Sequence, residues 1–193
     1  MSTPASSLLG RKILLGVCGS IAAYKAALVV RLLVKVGAEV QVVLTPSALA
    51  FVTPLTLSTL SKKPVLQGFL KDEVAGEWHN HVHLGLWADA LVVAPASANT
   101  LGHLANGLCD TLLDAVYLSA RCPVFVAPAM DLDMYQHPAT QANLRHLRQY
   151  GTTVWDSPAG ELASGLSGPG RMLEPEAIVA ALEDFFQEKK EQQ

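Results

Sequence analysis

At 193 residues the chain has the size of one domain, enough to bury roughly 70% of its unfolded surface in a single core. Hydrophobic residues make up 50% and charged residues 16%, which excludes a chain that is disordered over most of its length. Fourteen Lys and Arg against seventeen Asp and Glu give a net charge of −3, so no excess of cations is available to neutralise a phosphate backbone, and nucleic acid is not an expected partner.

No apolar run reaches the ~20 residues that span a bilayer, because Arg11, Lys25, Arg31 and Lys35 interrupt the candidates. The opening MSTPASSLLGRK lacks a basic region followed by an apolar one. The expectation is a cytoplasmic protein with no membrane contact. Cys18, Cys109 and Cys122 are an odd count without CxxC spacing, as befits reduced thiols. So little charge leaves apolar surface to be covered by other subunits, and a homo-oligomer is expected.

In chain order, KILLGVC reads as a buried strand ending near Val17. After the turn CGS, residues 21–38 carry apolar side chains at helical spacing, with Ser20 placed to cap the start and Gly37 to end the helix. EVQVVLT is a second strand, and residues 47–65 read as short helices broken by Pro54 and Pro64. The pattern recurs with ADALVVAP as a strand, two helices over 97–107 and 109–120, CPVFVAP as a strand, a helix from Pro138 to Gly151, TTVWDSP as a fifth strand, and a closing amphipathic helix from Pro175. Alternation of this kind predicts a three-layer α/β/α sandwich with a mainly parallel sheet in a single domain, whose ligands sit beyond the carboxyl ends of the strands. The expected divisions are an arm over 1–10, the folded domain over 11–186 and a polar tail over 187–193.

The strand ends carry the chemistry. GVCGSIAAYK is not a GxGxxG dinucleotide fingerprint, yet Gly19 permits close backbone approach and Ser20 adds a hydroxyl at a helix start, suited to one phosphate or to plain capping. TPSA sets Thr45 and Ser47 after the second strand, and ASANT sets Ser97, Asn99 and Thr100 after the third. Three hydroxyl-rich ends fit a mononucleotide better than capping alone. His79, His81 and His83 alternate, but no thiol lies near to complete a zinc site; on a helix His79 and His83 share a face as solvated polar residues while His81 points elsewhere. Asp131 and Met134 follow another strand end, where Asp131 is either an N-cap or a ligand contact. Residues 161–172, with three glycines and Arg171, have the composition of a mobile loop that closes over a ligand or of a plain surface loop.

Taken together, GVCGSIAAYKA, TPSA, HVHLGLWADALVVAPASANTLGHLANG, PAMDLDMY and ASGLSGPGRM, in this order, resemble the flavin-containing cysteine decarboxylases, and most closely the phosphopantothenoylcysteine decarboxylase branch as it occurs in the amino-terminal half of bacterial bifunctional coenzyme A biosynthesis proteins. The resemblance implies a Rossmann-like (flavodoxin-like) subunit, FMN bound between subunits of trimers that often assemble to dodecamers, and decarboxylation of 4′-phosphopantothenoylcysteine to 4′-phosphopantetheine. It implies FMN contacts at Gly19, Ser20, Ile21, Thr45, Ser47, Phe51, Ser97, Ala98, Asn99 and Thr100. It makes His81 a proton-transfer residue, and Asp131, Met134, Ala163, Gly165 and Arg171 substrate contacts. Two positions depart from the family pattern. Asp131 stands where an Asn contacts the substrate carboxylate, so it must be protonated, paired with a cation such as Arg171, or used otherwise. Ser164 stands where a flap cysteine acts as the acid in the final reduction, and neither Cys109 nor Cys122 is expected to replace it, because both adjoin buried elements. Decarboxylation of a peptide's terminal cysteine, as in lantibiotic-modifying relatives, and a non-catalytic FMN-binding regulator are the alternatives. Most bifunctional relatives continue into a ligase domain.

Overall fold

The computed structural model describes residues 6–72 and 75–191, so the first five residues of the expected arm and the last two of the expected tail lie outside the described residues. A parallel sheet of five strands forms in the order β2-β1-β5-β6-β7, from β1 (Lys12–Val17), β2 (Glu39–Leu44), β5 (Ala90–Ala96), β6 (Val124–Pro128) and β7 (Thr153–Val154). Two small antiparallel hairpins stand outside it: β3 (Leu70–Asp72) with β4 (Glu77–Trp78), and β8 (Ala159–Glu161) with β9 (Ser167–Pro169). The helices are α1 (Ala26–Lys35), α2 (Pro54–Ser61), α3 (His81–Trp87), α4 (Ala98–Asn106), α5 (Leu112–Ser119), α6 (Leu132–Gln136), α7 (Pro138–Gln149) and α8 (Pro175–Glu191).

Both faces of the sheet are apolar, as a parallel sheet between helices requires. Ile13, Leu15, Val17, Val40, Val42, Ala90 and Val92 pack on one face with Val29 and Leu33 of α1, Leu57 of α2 and Ile178 and Leu182 of α8. The alternate residues Leu14, Val43, Leu91 and Val93 pack on the other with Leu101 and Leu104 of α4, Leu113 of α5 and Leu144 and Leu147 of α7. The three expected layers are therefore present, and with a period of two along each strand neither face can slip by one residue without burying the wrong set.

The first four strands of the sheet end within about a residue of expectation, whereas the fifth, expected over TTVWDSP, is confined to Thr153–Val154; Gly37 and Gly151 close α1 and α7 with φ of +89° and +86°. Residues 21–38 divide into a 3-10 turn, Ile21–Lys25, and then α1. Pro54 does not break a helix but occupies its first turn, behind Thr53, whose hydroxyl accepts from Thr56 N–H. Residues 161–172 are not a plain loop, because the β8–β9 hairpin organises them. Leu8 is fully buried and Ser7 Oγ donates to Glu183 O at 2.7 Å, tying residues ahead of β1 to α8, which continues through Gln187 to Glu191. Among the described residues no helix is long and apolar enough to cross a membrane.

Candidate functional site at the carboxyl ends of the strands

The strand order places the ends of β2, β1 and β5 side by side, and the crossover direction changes between β1 and β5, which opens a crevice at that point. Thr45 N–H donates to Val17 O at 3.0 Å and Cys18 N–H to Pro95 O at 3.3 Å, so the three end turns are tied into one surface. Thr45 is buried with its Oγ1 3.2 Å from Ser47 Oγ. A Cβ on Gly19 would lie 2.6 Å from Ser47 Oγ and 3.0 Å from the Ser47 carbonyl carbon, so only glycine allows the first turn this close to the second. Ser20 Oγ accepts from Ala22 N–H at 3.3 Å, while the N–H groups of Gly19 and Ser20 donate to no other described residue. Ser97 caps α4, accepting from Thr100 N–H at 3.3 Å. The result is a cradle of free backbone donors and hydroxyls at a helix start, fitted to a phosphate group.

A cavity of about 640 Å³ opens beside the cradle, a size that suits a mononucleotide-sized ligand. It is lined by Gly19, Ser20, Ile21, Tyr24 and Lys25 from the first turn, Ser97 and Ala98 from the third, Met130, Asp131 and Met134 at the end of β6, and Glu161, Leu162, Ala163 and Arg171 from the hairpin region. Nine of the residues singled out in the sequence thus meet around one space: Gly19, Ser20, Ile21, Ser97, Ala98, Asp131, Met134, Ala163 and Arg171. Thr45 and Ser47 stand behind Gly19, and Thr100 is buried as the partner of the Ser97 cap. Phe51 and Asn99 are exposed, and neither lines the cavity. A second cavity, about 720 Å³, lies at the opposite end of the sheet between the carboxyl ends of α4, α5 and α7. It holds none of the strand-end residues.

The hairpin sits over the cavity on two glycine contacts. A Cβ on Gly168 would meet Leu132 Cδ1 at 2.6 Å, and one on Gly170, whose φ is +136°, would meet Met130 O at 2.4 Å. Met130 N–H donates to Gly170 O at 3.0 Å. Ser164 and Gly165 form the exposed tip, Gly165 with φ +85°, and Leu166 N–H points to Ser164 Oγ at 3.4 Å; neither tip residue lines the cavity.

Lys25, Tyr24, Glu161 and Glu174 were not singled out in the sequence. Lys25 is nearly buried, and its Nζ donates to both Glu174 carboxylate oxygens at 2.7 and 2.8 Å, while Arg171 Nη2 reaches the same carboxylate at 3.2 Å. The Lys25 hydrogen bond, aided by the charges of Lys25 and Arg171, holds the Glu174 carboxyl below its ordinary range against the opposing effect of burial. Arg171 is therefore paired with Glu174 and not with Asp131, and Asp131 has no ion pair or side-chain hydrogen bond among the described residues. Lys25 ends the 3-10 turn that Ile21 begins.

His81 opens α3, away from this cavity. Its ring centroid lies 5.7 Å from that of Trp78 and 6.4 Å from that of Phe69, and its buried Nδ1 has no hydrogen-bond partner among the described residues. His79 precedes the helix instead of sharing a face with His83; burial, then the Lys71 charge, lowers its pKa. His83 is exposed, its N–H donating to the Asn80 cap at 3.0 Å. Among the described residues no group of three or more His, Cys, Asp or Glu is placed to hold a metal. Cys18 is buried and Cys122 half-buried, but Cys109 is exposed, contrary to its expected place beside the core, because the turn after α4 carries it outward.

The model of the family described as Flavoprotein matches residues 1–187. A cysteine/cysteine sulfinic acid decarboxylase from an unknown prokaryotic organism is 57% identical over 139 residues, which are 72% of this chain and 38% of that protein. The coenzyme A biosynthesis bifunctional protein CoaBC of Vibrio cholerae is 47% identical over 183 residues, 95% of this chain and 46% of that protein; the chain spans less than half the length of these curated relatives. Among solved structures, a cysteine-to-serine variant of a PPC decarboxylase complexed with pantothenoylaminoethenethiol superposes with a TM-score of 0.82 at 36% identity, over 92% of this chain and 99% of that one. The FMN binding protein AtHal3 does so with 0.79 at 36% identity, over 92% and 97%. The chain belongs to the flavoprotein family.

Proposed function

We propose that the chain is an FMN-dependent decarboxylase that converts 4′-phosphopantothenoylcysteine to 4′-phosphopantetheine in coenzyme A biosynthesis, a reading that rests on the meeting of the phosphate cradle at Gly19, Ser20 and Ser97 with Asp131, Met134 and the hairpin around one cavity. Membership of the flavoprotein family and the likeness to PPC decarboxylase, to CoaBC and to an FMN binding protein support it. When bound, FMN supplies the two-electron oxidation of the substrate thiol and the return of those electrons. The cradle would hold its phosphate, with Ile21 on the cavity wall, Thr45 and Ser47 behind Gly19 and Thr100 behind the Ser97 cap; Phe51 and Asn99, exposed outside the cavity of their own chain, would meet FMN at its rim. Met134, Ala163 and Arg171 hold the substrate, and closure of the hairpin, which would bring Ser164 and Gly165 at its tip to the cavity, shuts out water. His81 moves the thiol proton.

His81 lies outside the cavity of its own chain, so this reading needs a second copy to bring the imidazole to the site. Ile21 at 61% exposed, Tyr24 at 58% and Leu55 at 75% are apolar surface for such an assembly, a trimer or a dodecamer of trimers in the cytoplasm. Free cysteine is a second reading, favoured by the 57% identity to the cysteine/cysteine sulfinic acid decarboxylase. Purified protein tests both. Stoichiometric FMN, with phosphopantothenoylcysteine consumed and carbon dioxide lost, supports the first; turnover of cysteine alone supports the second; a protein that neither carries nor takes up FMN overturns both.

A further inference from the structure

Asp131 occupies the N-cap position of α6, with φ −66° and ψ 159°, yet its side chain makes no cap hydrogen bond. An aspartate in that position ordinarily accepts from a backbone N–H of the helix and stabilises it. Here Asp131 lines the cavity, and its carboxyl has no partner among the described residues. Lys25 and Arg171, on the wall of the same cavity, share the one Glu174 carboxylate; Glu161, on the exposed strand β8, lines the cavity as a second carboxylate, and Asp133 on α6 is exposed. Among the described residues no cation lies within 4 Å of the Asp131 carboxylate.

The proposed reaction brings a second carboxylate into this cavity and then removes it as carbon dioxide. Two carboxylates crowded into one site share a proton instead of both ionising. The electron pair of the broken carbon–carbon bond stays behind as an enethiolate, and regeneration of a saturated thiol requires a proton on the carbon that lost the carboxylate. A serine hydroxyl is far too weak an acid for that step, and Ser164 sits at the exposed tip of the hairpin.

We propose that Asp131 is the catalytic acid of the reductive half-reaction. It takes up a proton as the substrate carboxylate arrives, donates a hydrogen bond to that carboxylate, and after carbon dioxide departs gives the proton to the adjacent carbon: its O–H bond breaks, a C–H bond forms, and a thioaldehyde and the Asp131 carboxylate remain. The thioaldehyde carbon then regains the two electrons and the hydrogen that it gave up in the oxidation, and the resulting thiolate takes back the proton held by His81, giving the thiol. Without the proton, the product leaves as an enethiol two hydrogens lighter, and the stored electrons pass to dioxygen, giving hydrogen peroxide. The assignment rests on the proposed decarboxylase reading.

Two measurements test it. In the first, holoenzyme and its Asp131→Asn variant, each checked for bound flavin, are given phosphopantothenoylcysteine and the product mass is read. The wild type is expected to release the thiol, with loss of carbon dioxide only, and Asp131→Asn the enethiol, with Ser164→Cys in the Asp131→Asn background restoring the thiol. In the second, calorimetry in two buffers measures proton uptake as pantothenoylserine, which has no thiol to oxidise, binds at pH 7; about one proton is expected for wild type and none for Asp131→Asn. An enethiol from the wild type, a thiol from Asp131→Asn, enethiol release caused by Glu161→Gln instead, or equal proton uptake in both proteins overturns the assignment. If the wild type releases no carbon dioxide, the decarboxylase reading fails on its own, and the calorimetric difference still decides whether Asp131 meets the carboxylate.

Discussion

Lys25 Nζ lies 2.7 and 2.8 Å from the two carboxylate oxygens of Glu174, 149 residues away in sequence, and so joins the first strand-end turn to the chain that leaves the hairpin. Lys25 is nearly buried, while the Glu174 side chain is 47% exposed, so solvent screens much of the attraction. Glu174→Gln is expected to cost about 1 kcal/mol at pH 7, a fall in Tm of about 2–4 °C. The Glu174 pKa is lowered by folding, so its contribution is complete above the ordinary carboxylate range near about 4.3 and disappears as the pH falls through the depressed folded value. Melting curves of the two proteins should therefore converge on acidification; an undiminished difference in acid would show that the pair does not stabilise the fold through charge.

Gly19→Ala tests the cradle. The new methyl would stand 2.6 Å from Ser47 Oγ and 3.0 Å from backbone; the hydroxyl can rotate but the backbone cannot, so the first two turns must separate. Overpacking of this kind costs roughly 1–3 kcal/mol, and it falls where a phosphate would meet the Gly19 and Ser20 N–H groups. The variant is expected to keep its circular dichroism and lose its flavin absorbance. Retention of wild-type flavin content would remove the cradle from the site.

The core strands were legible because β1, β2 and β5 are short apolar runs bounded by turn residues, and burial on both faces is what such runs require. The hairpins were not. Leu70 and Trp78 remain 57% and 51% exposed, so β3 and β4 carry no alternation of buried and solvated residues. β8 is Ala-Gly-Glu and β9 Ser-Gly-Pro, a composition with little strand propensity, held in place by what Gly168 and Gly170 allow against Leu132 and Met130. Gly19, Ser20 and Ser97 could be read from their place after strands. The Lys25–Glu174–Arg171 group could not, since nothing local marks residues 149 apart as neighbours. Nor does the identity of Asp131 reveal that an N-cap residue leaves its helix uncapped.

His81→Asn separates chemistry from cofactor binding. His81 belongs to no part of the cradle, and its Nδ1 is buried without a partner among the described residues, an arrangement that costs about 1–3 kcal/mol unless a ligand or another copy satisfies it. Under the proposed mechanism the variant should bind FMN as wild type does and lose about 10²- to 10⁴-fold in turnover. Its reaction with substrate should leave the flavin oxidised, which stopped-flow absorbance reads directly. Wild-type flavin reduction in the variant would assign the proton transfer to another group.

The three cysteines should differ by orders of magnitude in reactivity toward a thiol reagent at pH 8, because the thiolate is the nucleophile and burial suppresses it. Cys18 is fully buried, which pushes its thiol up to about 11, partly offset by hydrogen bonds with Thr100 and Ser97. Burial also raises Cys122, which is half-buried, while Cys109 is open to solvent on the turn between α4 and α5. Titration of the native protein is expected to show one fast thiol, Cys109, a second that reacts slowly, and a third released only on unfolding. Because Cys18 immediately precedes Gly19, the rate of that third thiol also reports on the cradle: if bound FMN holds the three strand-end turns together, its removal should speed modification of Cys18 and leave Cys109 unchanged. Equal protection of Cys18 with and without FMN would mean that the turns are set by the fold alone.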